Sequence, residues 1–267
     1  MRPKILGILN MTADSFSDGG QFLSPDKALK QAQALAKGGS DILDIGPASS
    51  HPDSTPVAPQ TEIERLASVL PALSAMGLEI SIDSYQPETQ LWAMQQGVDW
   101  LNDIQGFADA GVQEALADSS CRLFVMHSIQ SAGPARRQGV PEGDILDIVA
   151  GFFEQRLTEF DRRGIARDRL VLDPGMGFFL GDGPEPSVRV LSHIDRLKQA
   201  FDLPVLVSVS RKSFLRTLSG RSVEDSGPVT LAAELWAARQ GVDYIRTHDS
   251  RQLHDALALQ AHLEAGI

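Results

Sequence analysis

Asn10, Asp44, Asp83, Asn102, Asp103, His127, Asp173, Ser210, Arg211, Lys212, Arg246 and His248 all stand at or near the end of a short apolar run. Their types define a chemistry. Asp83, Asn102 and Asp173 supply carboxylate and amide acceptors together with amide donors, which suits a flat heterocycle bearing several N–H groups better than a sugar or an acyl chain. Arg211, Lys212, Arg246 and His248 are basic groups in a chain of formal net charge −11, and such a local cluster suits a phosphorylated ligand. Asn10, with Asp14 or Asp18 soon after, offers oxygen ligands for Mg²⁺, which keeps several waters and draws on a substrate's phosphates. Lys212 near a strand end is also compatible with Schiff-base chemistry, as in an aldolase, but that reading leaves Asn10, Asn102 and Arg246 without a task. The single Cys121 excludes an internal disulfide and a thiolate zinc site. In "SSCRLFVMH" it reads as a small buried residue beside a strand.

Taken one at a time, these residues have ordinary explanations: an Asp after a strand caps a turn, and a lone His is structural. The organisation of the chain makes them converge. The runs "KILGILN", "DILDIG", "LEISID", "WLNDI", "CRLFVMH", "RLVLDPG", "PVLVSVS" and "DYIRTHD" are apolar almost throughout, as strands of a parallel sheet covered on both faces must be. Between them lie amphipathic stretches of helical length at 25–37, 61–75, 87–96, 110–117, 144–163, 185–201, 228–240 and 251–265. Start and stop signals mark several, such as Ser24 before Pro25 and the glycines at 38, 39, 97, 164 and 241. Eight strand–helix units with no linker between halves predict one α/β domain over residues 1–267, a single (β/α)8 TIM barrel. A doubly wound sheet is the alternative, but "NMTADSFSDGG" after the first strand carries no G-x-G-x-x-G. In a barrel the carboxyl ends of the strands form one rim, and the quarter after strands seven and eight commonly holds phosphate.

Composition narrows the partners. Of 267 residues, 42% are hydrophobic and 22% charged, ordinary values for a chain with a sizeable core. A pI near 4.9 opposes binding to nucleic acid or to an anionic membrane. Residues 1–10 lack the basic region and the apolar length of a signal peptide, so the expected location is the cytoplasm.

The stretches "GILNMTADSFSDGG", "SIDSYQPE", "LNDIQGF", "VMHS", "LDPGMGF", "VSVSRKSF" and "YIRTHD", in that order over nearly the full chain, resemble the dihydropteroate synthases of folate biosynthesis. The resemblance implies a (β/α)8 barrel that joins a dihydropterin pyrophosphate to p-aminobenzoate and releases pyrophosphate. It implies a pterin pocket of Asp83, Asn102, Asp173 and Lys212 lined by Met126, and pyrophosphate and Mg²⁺ anchors at Asn10, Arg246 and His248. Ser210 and Arg211 lie where p-aminobenzoate approaches, and Phe16 and Asp18 belong to a closing lid loop. Asp83, Asp173, Lys212, Arg246 and His248 are the residues expected to carry catalysis, by dissociative displacement, and a homodimer through late helices is expected.

Two loops depart from the family pattern. Where the second loop usually reads Gly-Gly-Glu-Ser-Thr-Arg-Pro-Gly, this chain has "GPASSHPDS", with Ser50 for the Thr and His51 for the Arg. After the sixth strand, Gly177-Phe178-Phe179-Leu180-Gly181 stands where Gly-Phe-Gly-Lys is usual. Both departures resemble the sulfonamide-insensitive synthases, which implies that Phe178 and Phe179 reshape the p-aminobenzoate pocket against the drug. A sulfonamide-sensitive synthase, a pterin-dependent methyl-transfer barrel and a non-catalytic pterin-binding barrel are the alternatives; the methyl-transfer barrel leaves the cations after strands seven and eight unexplained, and ligand binding without turnover would identify the non-catalytic one.

Overall fold

The computed structural model describes residues 2–12, 24–130 and 133–266. Its eight strands are β1 (Lys4–Asn10), β2 (Ile42–Gly46), β3 (Glu79–Asp83), β4 (Trp100–Asp103), β5 (Arg122–Met126), β6 (Leu170–Asp173), β7 (Leu206–Val207) and β8 (Tyr244–Thr247). Every neighbouring pair is parallel, in the order β6-β5-β4-β3-β2-β1-β8-β7. A parallel bridge from Leu172 to Val205 joins the two ends, with the Leu172 amide donating to the Pro204 carbonyl at 2.9 Å. The sheet is thereby a barrel, as the eight-unit pattern predicts.

Alternation along the strands divides the barrel interior into levels. At the bottom, Leu6, Ile42, Trp100, Phe124, Val171 and Leu206 form one apolar cluster with Tyr244 against it. Trp100 and Phe124 stack with ring centres 4.4 Å apart, so this end is a packed plug. Two residues further along the same strands, the inward positions are Asp44, Asn102, Asp173, Ser208 and Arg246, with Ile8 and Met126 as the two apolar members. Five of the seven side-chain columns turn polar at this level, which puts the chemistry at the carboxyl ends. Outward positions meet the helices in the main core, where Leu9, Leu43, Leu101 and Ile245 are fully buried.

The helices are α1 (Pro25–Lys37), α2 (Pro59–Ala67), α3 (Leu70–Ser74), α4 (Pro87–Gln95), α5 (Ala110–Ala117), α6 (Ile145–Arg163), α7 (Glu185–Ser192), α8 (Ile194–Phe201), α9 (Ser213–Ser219), α10 (Gly227–Arg239) and α11 (Ser250–Ala265). The Ser24 hydroxyl caps α1 by accepting from the Lys27 amide at 3.4 Å. Three expectations need correction. The helix predicted over 61–75 is two helices, because Pro71 has no amide to donate to a carbonyl one turn back and instead occupies the first turn of α3. The helix predicted over 185–201 breaks at His193, whose backbone leaves the helical region at φ −130°. The seventh strand pairs only at Leu206–Val207, and α9 follows it, because the chain turns sharply at Arg211.

Candidate active site

A cavity of about 420 Å³ opens at the carboxyl ends of the strands. Its wall carries Asn10, Ser50, His51, Asp83, Phe178, Phe179, Ser210, Arg211, Lys212, Arg246 and His248, so groups from six separate strand ends and loops do meet. Asn102, Met126 and Asp173 are buried and do not line it. Phe16 and Asp18, together with Asp14, lie outside the described residues. Asp44 and Arg216 received no role from the sequence. Asp44 could have been found from its inward position on β2, whereas Arg216 lies on α9, which the sequence pattern did not reveal.

Arg246 organises the floor. Its Nε donates to Asp44 Oδ2 and its Nη2 to Asp83 Oδ2, each at 2.5 Å. Asp44 is fully buried and also accepts from the Ser81 hydroxyl at 2.6 Å, with the Asn102 amide nitrogen 3.4 Å away. Burial alone would lower the Arg246 pKa, but the Asp44 and Asp83 carboxylates overcome it and hold the guanidinium charged. Asp83 is pushed up to about 7 by burial and by the negative Asp44, against the pull of Arg246 and Lys212. Burial raises Asp173 to about 6, opposed by the Gly175 amide, which donates to Oδ1 at 2.8 Å, and by Lys212.

The turn after β7 separates the two adjacent cations. Arg211 has φ +59°, a left-handed conformation uncommon for any residue but glycine. The Arg211 amide donates to Thr230 Oγ1 at 3.2 Å, and the Lys212 amide to the Val209 carbonyl at 3.1 Å. Arg211 is thus exposed while Lys212 turns towards the carboxylates. Burial and the neighbouring Arg246 bring Lys212 down to about 8, opposed by Asp173 and Asp83. His248 falls to about 3 through burial and then through Arg211, Arg246 and Lys212, so its imidazole is neutral at pH 7. Its Nδ1 lies 2.9 Å from the Ser210 hydroxyl.

Three loops are tied together around Phe178 and Phe179. The Ala135 amide donates to the Ser50 carbonyl at 3.0 Å, and the Ile129 amide to the Phe179 carbonyl at 3.1 Å. Arg137 pairs bidentately with Asp53, at 2.6 Å for the longer bond, and lies 5.6 Å above the Phe178 ring. His51 meets Phe178 edge-on at 6.1 Å, and the Lys212 ammonium stands 5.2 Å from the Phe179 ring centre. Phe179 is buried with Met126, Ile104 and Ala135.

The sequence matches the pterin binding enzyme family over residues 6–248. It is 56% identical over 260 residues to dihydropteroate synthase type-2 of Escherichia coli, covering 97% of this chain and 96% of that one. The chain belongs to the dihydropteroate synthases. Dihydropteroate synthase type-1 of Mycolicibacterium fortuitum is 51% identical over 264 residues, covering 98% of this chain and 93% of its relative. The solved dihydropteroate synthase of Xanthomonas albilineans with 4-aminobenzoic acid superposes with a TM-score of 0.89 at 33% identity, covering 99% of this chain and 94% of that one. As a dihydropteroate synthase, the chain is a transferase that joins 6-hydroxymethyl-7,8-dihydropterin pyrophosphate to p-aminobenzoate, giving 7,8-dihydropteroate and pyrophosphate. Among the described residues of this synthase, no helix is long and apolar enough to cross a membrane.

Proposed function

We propose that this cavity holds both substrates, with the pterin ring against Asp83 and Lys212 and reaching inward to the buried Asn102, Asp173 and Met126 behind the wall, and the aniline arriving past Ser50, Ser210 and Arg211. The observation that carries the reading is the fork of Arg246 between Asp44 and Asp83 on the wall it shares with Lys212 and His248. The bond from the pterin's exocyclic carbon to the pyrophosphate oxygen breaks first, and its electron pair leaves with pyrophosphate. The aniline nitrogen then forms the new C–N bond and gives up a proton. Arg246 meets the growing charge on the leaving oxygens, while Asp83 and Asp173 favour the pterin cation. With Nδ1 of His248 accepting from Ser210, Nε2–H is left to donate to the pyrophosphate. Pyrophosphate charge near the imidazole opposes the cations that keep it neutral, so His248 gains basicity as the leaving group departs.

Among the described residues, no cluster of three or more His, Cys, Asp or Glu side chains forms a cation site. Asn10 Oδ1 on the cavity wall, with substrate phosphates and water, nonetheless makes the sparse oxygen set that Mg²⁺ accepts. When bound, Mg²⁺ would neutralise charge on the departing pyrophosphate.

Phe178 and Phe179 narrow the p-aminobenzoate end, so that the flat substrate fits and a sulfonamide, bulkier beyond its sulfonyl group, clashes. The enzyme on this reading is a cytoplasmic homodimer, with exposed Trp236, Leu259 and Leu263 on α10 and α11 as the apolar surface for a second copy. The test is pyrophosphate release from the purified protein given dihydropterin pyrophosphate, Mg²⁺ and p-aminobenzoate, with and without sulfamethoxazole. Turnover that persists at high drug supports both the site and its selectivity. Turnover abolished by drug removes the selectivity, and no turnover removes the site.

A further inference from the structure

Two basic groups on the cavity wall already face carboxylates: Arg246 pairs with Asp44 and Asp83, and Lys212 faces Asp173 and Asp83. Arg216 differs. It lines the same cavity half-buried, and its buried Nε has no hydrogen-bond partner among the described residues. Glu224 feels its charge, but among the described residues no salt bridge forms between them. A buried guanidinium N–H without an acceptor is costly and asks for an anion.

Position indicates which anion. Lys212 immediately precedes α9 and Arg216 lies one turn into it, a separation of about 6 Å along the helix axis, and both line the cavity. That is roughly the length of a benzene ring with two para substituents. A substrate whose amine lies at the Lys212 end therefore presents its opposite substituent to Arg216. We propose that Arg216 anchors the carboxylate of p-aminobenzoate, which rests on the reading that this cavity holds that substrate. The planar fork of the guanidinium matches the two coplanar oxygens of a carboxylate. It matches the tetrahedral sulfonyl of a sulfonamide poorly, so Arg216 adds a charge criterion to the shape criterion of Phe178 and Phe179.

The test compares p-aminobenzoate with its neutral isostere 4-aminobenzamide as acceptor, in the unsubstituted enzyme, Arg216→Gln and Arg216→Lys. The expected result for Arg216→Gln is a loss of about tenfold or more in kcat/KM for the acid, carried by KM. The amide's kcat/KM and the KM for dihydropterin pyrophosphate stay within about twofold. Arg216→Lys keeps the charge without the fork and falls between. Equal losses for acid and amide would make Arg216 a merely structural residue, and a raised KM for the pterin pyrophosphate would give it to the leaving group; either overturns the proposal. Should Arg216→Gln fail to fold, Arg216→Lys decides by the same criterion: a loss confined to the acid supports the anchor, and equal or no losses overturn it. Absence of turnover with p-aminobenzoate in the unsubstituted enzyme strikes the underlying reading and this proposal with it.

Discussion

Glu234 on α10 is 2% exposed, and its Oε1 has no hydrogen-bond partner among the described residues. Burial raises its pKa to about 8; the Thr247 hydroxyl opposes the rise and the nearby Asp249 adds to it. The folded protein therefore holds a proton that the unfolded chain, titrating near the ordinary 4.5, gives up earlier. The stability from this difference is fully present below pH 4.5 and is lost as pH rises through about 8. At 1.36 kcal/mol per pH unit, raising pH from 5 to 7 removes about 2.7 kcal/mol that Glu234→Gln, always neutral, does not lose. Urea unfolding of both proteins at intervals from pH 5 to 8 measures this directly. Subtracting the two curves cancels every other titrating group, and the variant gains on the unsubstituted protein as pH rises. A difference that stays flat across that range refutes a neutral Glu234 behind β8.

Asp44→Asn leaves the Arg246 guanidinium with one carboxylate instead of two and is expected to cost about 3 kcal/mol, the lower range for breaking a buried ion pair, read as a fall in the urea midpoint. The same change removes the charge that raises Asp83, so Asp83 titrates lower by NMR. Phe179→Gly opens the aromatic wall over Met126, and sulfamethoxazole inhibition should strengthen at least tenfold with p-aminobenzoate still accepted; unchanged inhibition defeats the steric account. Lys212→Met is expected to raise the KM for dihydropterin pyrophosphate at least tenfold and to abolish a fall in kcat/KM above about pH 8, where Lys212 loses its proton. Asp53→Ala breaks an exposed pair with Arg137 and should leave the thermal melt nearly unchanged, so a large loss of stability would show that the clasp does more than tie two loops.

The barrel was legible because burial on both faces leaves its mark on each strand: "DILDIG" is buried at every paired position, and eight such runs alternate with helical stretches. What escaped is what depends on a local event inside a long amphipathic stretch. Pro71 and His193 interrupt runs whose apolar spacing continues through the break, so periodicity could not separate α2 from α3 or α7 from α8. The site shows the same division. Asp83, Lys212 and Arg246 share the cavity wall because strand ends converge on one rim, a rule that needs no coordinates. Asp44 was visible at a strand end, but its importance arises from the reach of Arg246 across β1 from β8 to β2, a contact 202 residues apart in sequence. Arg216 was hidden because it depends on α9, a short helix in a stretch that reads as loop.

The charge arrangement follows from this geometry and bears on the reaction. Three carboxylates, Asp44, Asp83 and Asp173, surround two cations, Arg246 and Lys212, in a floor largely closed to water. If all are ionised the floor carries one excess negative charge; burial is what chiefly raises Asp83 and Asp173, and the Asp44 charge adds to it. A pterin ring that becomes cationic as pyrophosphate leaves would supply the missing positive charge. On the proposed reading the same ring would donate N–H groups to those carboxylates and so favour their ionised form. The cost of burying that excess charge would, on the same reading, be relieved most fully when the cation is at its peak, which would be stabilisation specific to the transition state rather than to the bound substrate.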